Sequence, residues 1–169
     1  MNMLAGPVSH LVTAEELPGI SMPGKSIELV RGALVVREPP STGHGRVAAR
    51  LSYLIADHVY RHQLGEVIQN AGFQMESNPD TVRAPDIAFV TAGRVDQIPL
   101  TGFARFAPDL AAEVVSPNDR PGELLAKVGQ WLDAGAKVVW VDRPRASTCG
   151  RLPRNRRRDA RRRRRGAER

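Results

Sequence analysis

Cysteine is almost absent: Cys149 is the single thiol in a chain of 169 residues. One thiol excludes an internal disulfide and any cysteine-built zinc site, and it fits a reducing compartment. Long apolar runs are missing too. None approaches the roughly 20 residues needed to cross a bilayer, and Met1 to His10 shows neither a basic start nor an extended apolar stretch. The expectation is a cytoplasmic protein without a membrane partner. Aromatic residues make up only 5% of the chain, and none interleaves with the arginine run near the C-terminus as a base-stacking platform would require.

What is present divides the chain in two. The formal net charge is +7. Residues 1–142 carry 12 Lys+Arg against 16 Asp+Glu, whereas residues 143–169 carry 13 Arg against two acids. The balance is therefore −4 for the first part and +11 for the second. The length suits one domain with a real core, here residues 1–142. From Arg143 the apolar periodicity stops, and residues 143–169 read as a disordered, arginine-rich tail. Its run Arg161–Arg165 can contact phosphates without sequence preference.

Within the first part, Thr13 to Glu16 has capping-box spacing for a short helix ended by Pro18 and Gly19. Ser26–Val30 and Ala33–Arg37 flank Arg31-Gly32 as a β-hairpin. Apolar residues Val47, Leu51, Leu54, Ile55 and Val59 recur at helical spacing from His44 to His62. Strands are expected over 66–70 and 73–76, turning at Ala71-Gly72, then over 87–90 and 110–116. A second helix, about 120–134, presents Leu124, Leu125, Val128, Trp131 and Leu132 and ends at Gly135; a last strand covers 137–142. The order reads as a mixed α/β sandwich.

Two acids stand out in this frame. Asp86 and Glu113 are single carboxylates in apolar, strand-like runs, and a carboxylate is rarely buried unless paired or bound to metal. Strands lie about 4.8 Å apart, so two acids on neighbouring strands can share one Mg²⁺, which keeps several waters. The residue that shares Glu113's face, Val115, can do no proton chemistry. Lys127, at the edge of the following helix's apolar stripe, can bury its stem and aim its ammonium at the sheet. Simpler readings remain beside these. Asp86 could cap a turn after Pro85, and Glu113 could pair with an arginine. Lys127 could pair with Glu123 for about 0.2–0.5 kcal/mol. Asp109, after Pro108, reads as a turn residue, and His58 with His62 as surface residues.

The run Ile27 to Val35, Pro39-Pro40-Ser41 with His44, Pro85-Asp86, Pro108 to Pro117, and Lys127 with Trp131-Leu132 and Ala134-Gly135 together resemble the Uma-type family of restriction-endonuclease-like proteins. That family lies within the PD-(D/E)XK nuclease superfamily, and the likeness spans about residues 13–142. The resemblance implies a restriction-endonuclease-like mixed sheet flanked by helices. It implies an endonuclease acting on nucleic acid, DNA first, with Mg²⁺ (or Mn²⁺) on Asp86 and Glu113 and with Lys127 as the relocated catalytic lysine. It also implies a supporting role for Glu28, one for His44 at the start of the first long helix, and a homodimer as the assembly to test. Relatives continue past the strand at 137–142 with further strands, whereas this chain runs into polyarginine. The expectation is a sheet lacking its last strands, with a tail translated out of frame from near Asp142. The competing expectations are a non-catalytic nucleic-acid-binding protein and an inactive truncated family member.

Overall fold

The computed structural model describes residues 10–116 and 119–143. The tail from 144 onward, with its expected disorder and lost frame, lies outside the described residues. Chain order runs β1 (Ser26–Val30), β2 (Ala33–Arg37), α1 (Thr42–Arg61), β3 (Gly65–Gln69), β4 (Phe73–Glu76), β5 (Thr81–Arg83), β6 (Ile87–Thr91), β7 (Leu110–Val114), α2 (Pro121–Asp133) and β8 (Val138–Asp142). Short 3-10 turns occupy Leu17–Gly19 and Ala92–Gln97. No described helix is long and apolar enough to cross a membrane.

The strands form two four-stranded sheets, ordered β2-β1-β5-β4 and β3-β6-β7-β8. The first is antiparallel throughout; the second is mixed, because β8 runs parallel to β7. The β1–β2 hairpin turns at Arg31-Gly32 as its sequence implied. Both turn residues have positive φ, and a side chain at Gly32 would meet the Leu11 Cβ at 2.6 Å.

The structure departs from the sequence reading in three places. The strands either side of Ala71-Gly72 do not pair with each other: β3 pairs with β6 in one sheet and β4 with β5 in the other. The turn there carries the chain between sheets, and β5, only three residues long, has too short a run to announce itself. The predicted stripe of α2 is also rotated. Leu125 is 70% exposed and Leu132 also faces solvent, while Lys127 and Trp131 are buried. The Thr13–Glu16 segment keeps its capping contacts, with Glu16 accepting the Thr13 N–H at 2.9 Å, but forms turns rather than a helix.

One core gathers Phe73, Ala88, Val90, Ala111 and Trp131, joining both sheets beneath α2. A second holds Val12, Leu17, Leu29 and Val82 under the N-terminal segment. β8 closes the second sheet as an edge strand, with Val138, Trp140 and Val141 all exposed. Between the two sheets opens a cleft of about 820 Å³.

Candidate active site

The β6–β7 register pairs Ile87 with Ala112. Carried one step further, it sets Asp86 opposite Glu113, and directly opposed residues of an antiparallel pair share a face. Asp86 is fastened there by the Val114 N–H, which donates to its Oδ2 at 2.6 Å. The His44 ring adds a second contact, with Nε2 at 3.2 Å from the same oxygen. His44 reaches this point because Ser41 caps α1: its Oγ accepts the His44 N–H at 3.2 Å, fixing the first helical turn against β6.

Helix α2 supplies the cation. Pro121 sits at its first turn, where a missing N–H costs nothing. Lys127, Gln130 and Trp131 follow at i, i+3 and i+4, so all three point at the sheet. The Lys127 Nζ donates to Glu113 at 2.9 Å and to the Ala84 carbonyl at 3.1 Å, and lies 3.2 Å from Glu28 Oε1. Its ammonium is thus ringed by carboxylate and carbonyl oxygens of Glu113, Ala84 and Glu28. The Trp131 Nε1–H donates to Glu113 Oε1 at 2.9 Å.

Glu28 comes from the other sheet, on β1, and is buried beneath this group. It accepts from Arg83 Nη1 at 2.8 Å, the Ala84 N–H at 3.0 Å and Arg37 Nε at 3.2 Å. Arg83 in turn donates to Gln130 Oε1 through Nε at 3.0 Å and Nη2 at 2.8 Å. Burial opposes ionisation of Glu28, but the charges of Lys127 and Arg83 outweigh it and hold its pKa at about 2. Glu113 behaves the other way. Burial pushes its pKa up in spite of Lys127 and Trp131, and the nearby Asp86 charge adds to the rise.

All four acids and bases singled out from the sequence, Asp86, Glu113, Lys127 and Glu28, line the same cleft, together with His44. Lys127 does not pair with Glu123, which instead lies 3.5 Å from Arg120. The partner of Glu113 is a lysine and an indole, not an arginine. Four participants are not singled out by the sequence: Arg37, Arg83, Gln130 and Trp131. Arg83 and Gln130 are polar residues whose neighbours in sequence say nothing of burial, although Gln130 is one turn from Lys127. Trp131 reads from the sequence as part of the apolar stripe, which leaves its N–H bond to Glu113 unannounced.

Asp109 is a further correction. It is not a solvent-facing turn residue but a buried brace. Its carboxylate accepts the Thr91 N–H at 2.9 Å and lies 2.8 Å from Lys137 Nζ and 3.2 Å from Arg94 Nη1. Burial opposes its charge, yet Lys137, the Thr91 N–H and Arg94 hold its pKa at about 2. His58 and His62 are on the surface, as expected.

The donor set can be weighed against a metal ion. Among the described residues no three His, Cys, Asp or Glu side chains cluster as a cage, which argues against zinc or a fully protein-ligated ion. Mg²⁺ needs only one or two carboxylates, and Asp86 with Glu113 provides two on one face. The cleft lining carries six carboxylates (Glu28, Glu38, Asp86, Glu113, Asp119, Glu123) against Lys25, Arg37 and Lys127. That excess of negative charge, with the raised pKa of Glu113, suits a small hard cation.

Comparisons with known proteins agree with this picture at the level of family and fold. The family model described as "Uma2: Putative restriction endonuclease" matches residues 13–166. Among solved structures that the chain resembles is one described as a "putative nuclease belonging to DUF820" from Anabaena variabilis. The two share 18% identity with a TM-score of 0.66, over 79% of this chain and 74% of that one. At that identity the likeness concerns the fold. No curated protein matches the chain.

Proposed function

Because the chain belongs to the Uma2 family of restriction-endonuclease-like proteins, we propose that it is a metal-dependent endonuclease that hydrolyses phosphodiester bonds of nucleic acid, DNA first. The observation that carries this reading is the triad in the cleft: Asp86 held by the N–H of Val114, the neighbour of Glu113, with the Lys127 ammonium 2.9 Å from Glu113. Asp86 and Glu113 would hold Mg²⁺ or Mn²⁺, which when bound supplies Lewis-acid stabilisation and a more acidic water.

The remaining work belongs to the chain itself. The Val114 N–H and His44 orient Asp86, and Trp131 orients Glu113. Glu28, ionised and buried, lies 3.2 Å from the Lys127 Nζ and holds that side chain against the sheet. Lys127 then offers positive charge to the phosphate as negative charge builds on its oxygens. Nicking of supercoiled plasmid in Mg²⁺ or Mn²⁺ tests the reading. It predicts nicking by the wild type, lost on adding chelator and lost in Asp86→Ala and Glu113→Ala. Nicking that persists unchanged in both variants removes the assignment.

A second reading draws on the charge split, −4 over residues 1–142 against +11 over 143–169. In it the chain binds nucleic acid through its arginines and does not cut. Deleting residues 143–169 would then abolish binding, while Asp86→Ala would leave it intact.

A further inference from the structure

We propose that Arg37, which the sequence did not single out, binds the phosphate backbone of the strand held in the cleft; the inference rests on the endonuclease reading above. An acidic cleft needs an available cation to hold a polyanion, and its lining has three Lys/Arg side chains. Lys127 is 9% exposed, donates to Glu113 and Ala84, and has Glu28 Oε1 at 3.2 Å, so it is enclosed by oxygens away from solvent. Lys25 is tied directly to Glu38. Arg37 differs from both.

Arg37 closes β2, an edge strand, and its side chain is 31% exposed. Only its Nε is engaged, donating to Glu28 Oε2 at 3.2 Å, while Nη1 stands 3.8 Å from Asp119 Oδ1, beyond hydrogen-bond reach. Nη2 has no partner among the described residues. A planar guanidinium with open donors matches two oxygens of one phosphate, which a point-charge ammonium does not. Glu28 supplies the link to chemistry. One of its oxygens faces Lys127 and the other takes Arg37 and Arg83, so phosphate anchor and reacting ammonium hang from a single buried carboxylate.

The test is calorimetric binding of the dinucleotide pdTpdT to the full-length chain in Ca²⁺ buffer. Wild type, Arg37→Ala, Arg37→Lys and Arg161→Ala are compared, the last removing the same charge from the tail. Arg37→Ala weakens binding about tenfold or more, since a charge-assisted pair is lost. Arg37→Lys recovers part of the loss, and Arg161→Ala matches wild type. Equal melting temperatures establish that the fold is intact in each chain. Wild-type affinity in Arg37→Ala, or an equal loss in Arg161→Ala, overturns the role of Arg37 while leaving the endonuclease reading in place. A wild type that binds no dinucleotide overturns both.

Discussion

Asp109 and Glu113 stand four residues apart on one run of chain, both buried and both within 3 Å of a lysine ammonium. Asp109 collects Lys137, Arg94 and a backbone N–H, and its pKa falls to about 2. Glu113 collects Lys127 and an indole N–H but shares its face with Asp86, and its pKa rises. Although its Oδ1 accepts no hydrogen bond, the two cations and the Thr91 N–H outweigh the burial of Asp109, so that carboxylate ties β6, β7 and the start of β8 together. Both Glu113 oxygens have donors, but burial and the Asp86 charge still work against its ionised form beside an open cleft. A buried acid that the protein over-compensates reads as a brace; one that it under-compensates next to a second acid reads as a place for a cation.

The largest effect expected from this contrast is on catalysis. Glu113→Ala, Asp86→Ala and Lys127→Ala should each lower plasmid nicking by about 10²–10³-fold or more, whereas Asp109→Asn should keep near-wild-type nicking at temperatures well below its melting point. Loss of nicking in Asp109→Asn while still folded would erase the distinction.

Stability should show the reverse order. Asp109 has a folded pKa depressed from 3.8 to about 2, so it contributes stability that is present above pH 4 and lost as pH falls through about 2. That shift amounts to about 2 kcal/mol, and Asp109→Asn should lose a similar amount in urea denaturation at pH 7. Glu28, depressed from 4.5 to about 2, acts in the same acid window. Glu113 has the opposite sign: its folded pKa is raised, so its ionised form costs stability as pH rises. In metal-free buffer at pH 7, Glu113→Gln should therefore melt no lower than wild type.

A smaller effect sharpens the picture at Glu113 itself. Trp131→Phe keeps most of the ring but removes the N–H that orients the carboxylate, and should weaken Mn²⁺ binding about tenfold. The smallest change is expected at Leu125, which is 70% exposed. Leu125→Lys should alter stability by no more than about 0.5 kcal/mol, although the sequence pattern had placed it in the buried stripe.

That misplacement shows where local pattern stops informing. The hairpin at Arg31-Gly32 and both helices, to within about two residues at each end, were legible because turn chemistry and helical spacing are local. Asp86 and Glu113 were legible because a lone acid in an apolar run demands an explanation. The division into two sheets was not, since it depends on pairings such as Leu29 with Val82, far apart in the chain. The facing of α2 was legible in part: Lys127 and Trp131 turn inward as their spacing implies, but Leu125 and Leu132 are exposed. Arg83 escapes notice and Asp109 reads as a turn residue for one reason: their partners, Gln130 and Lys137, lie 47 and 28 residues further on.

The central claim is that Asp86 and Glu113 form a cation site that Asp109 does not share. Calorimetric titration of Mn²⁺ into the metal-free full-length protein tests it without any substrate. The account predicts one binding event in wild type and in Asp109→Asn, and none in Glu113→Ala. Equal binding in Glu113→Ala, or none in wild type, would contradict it.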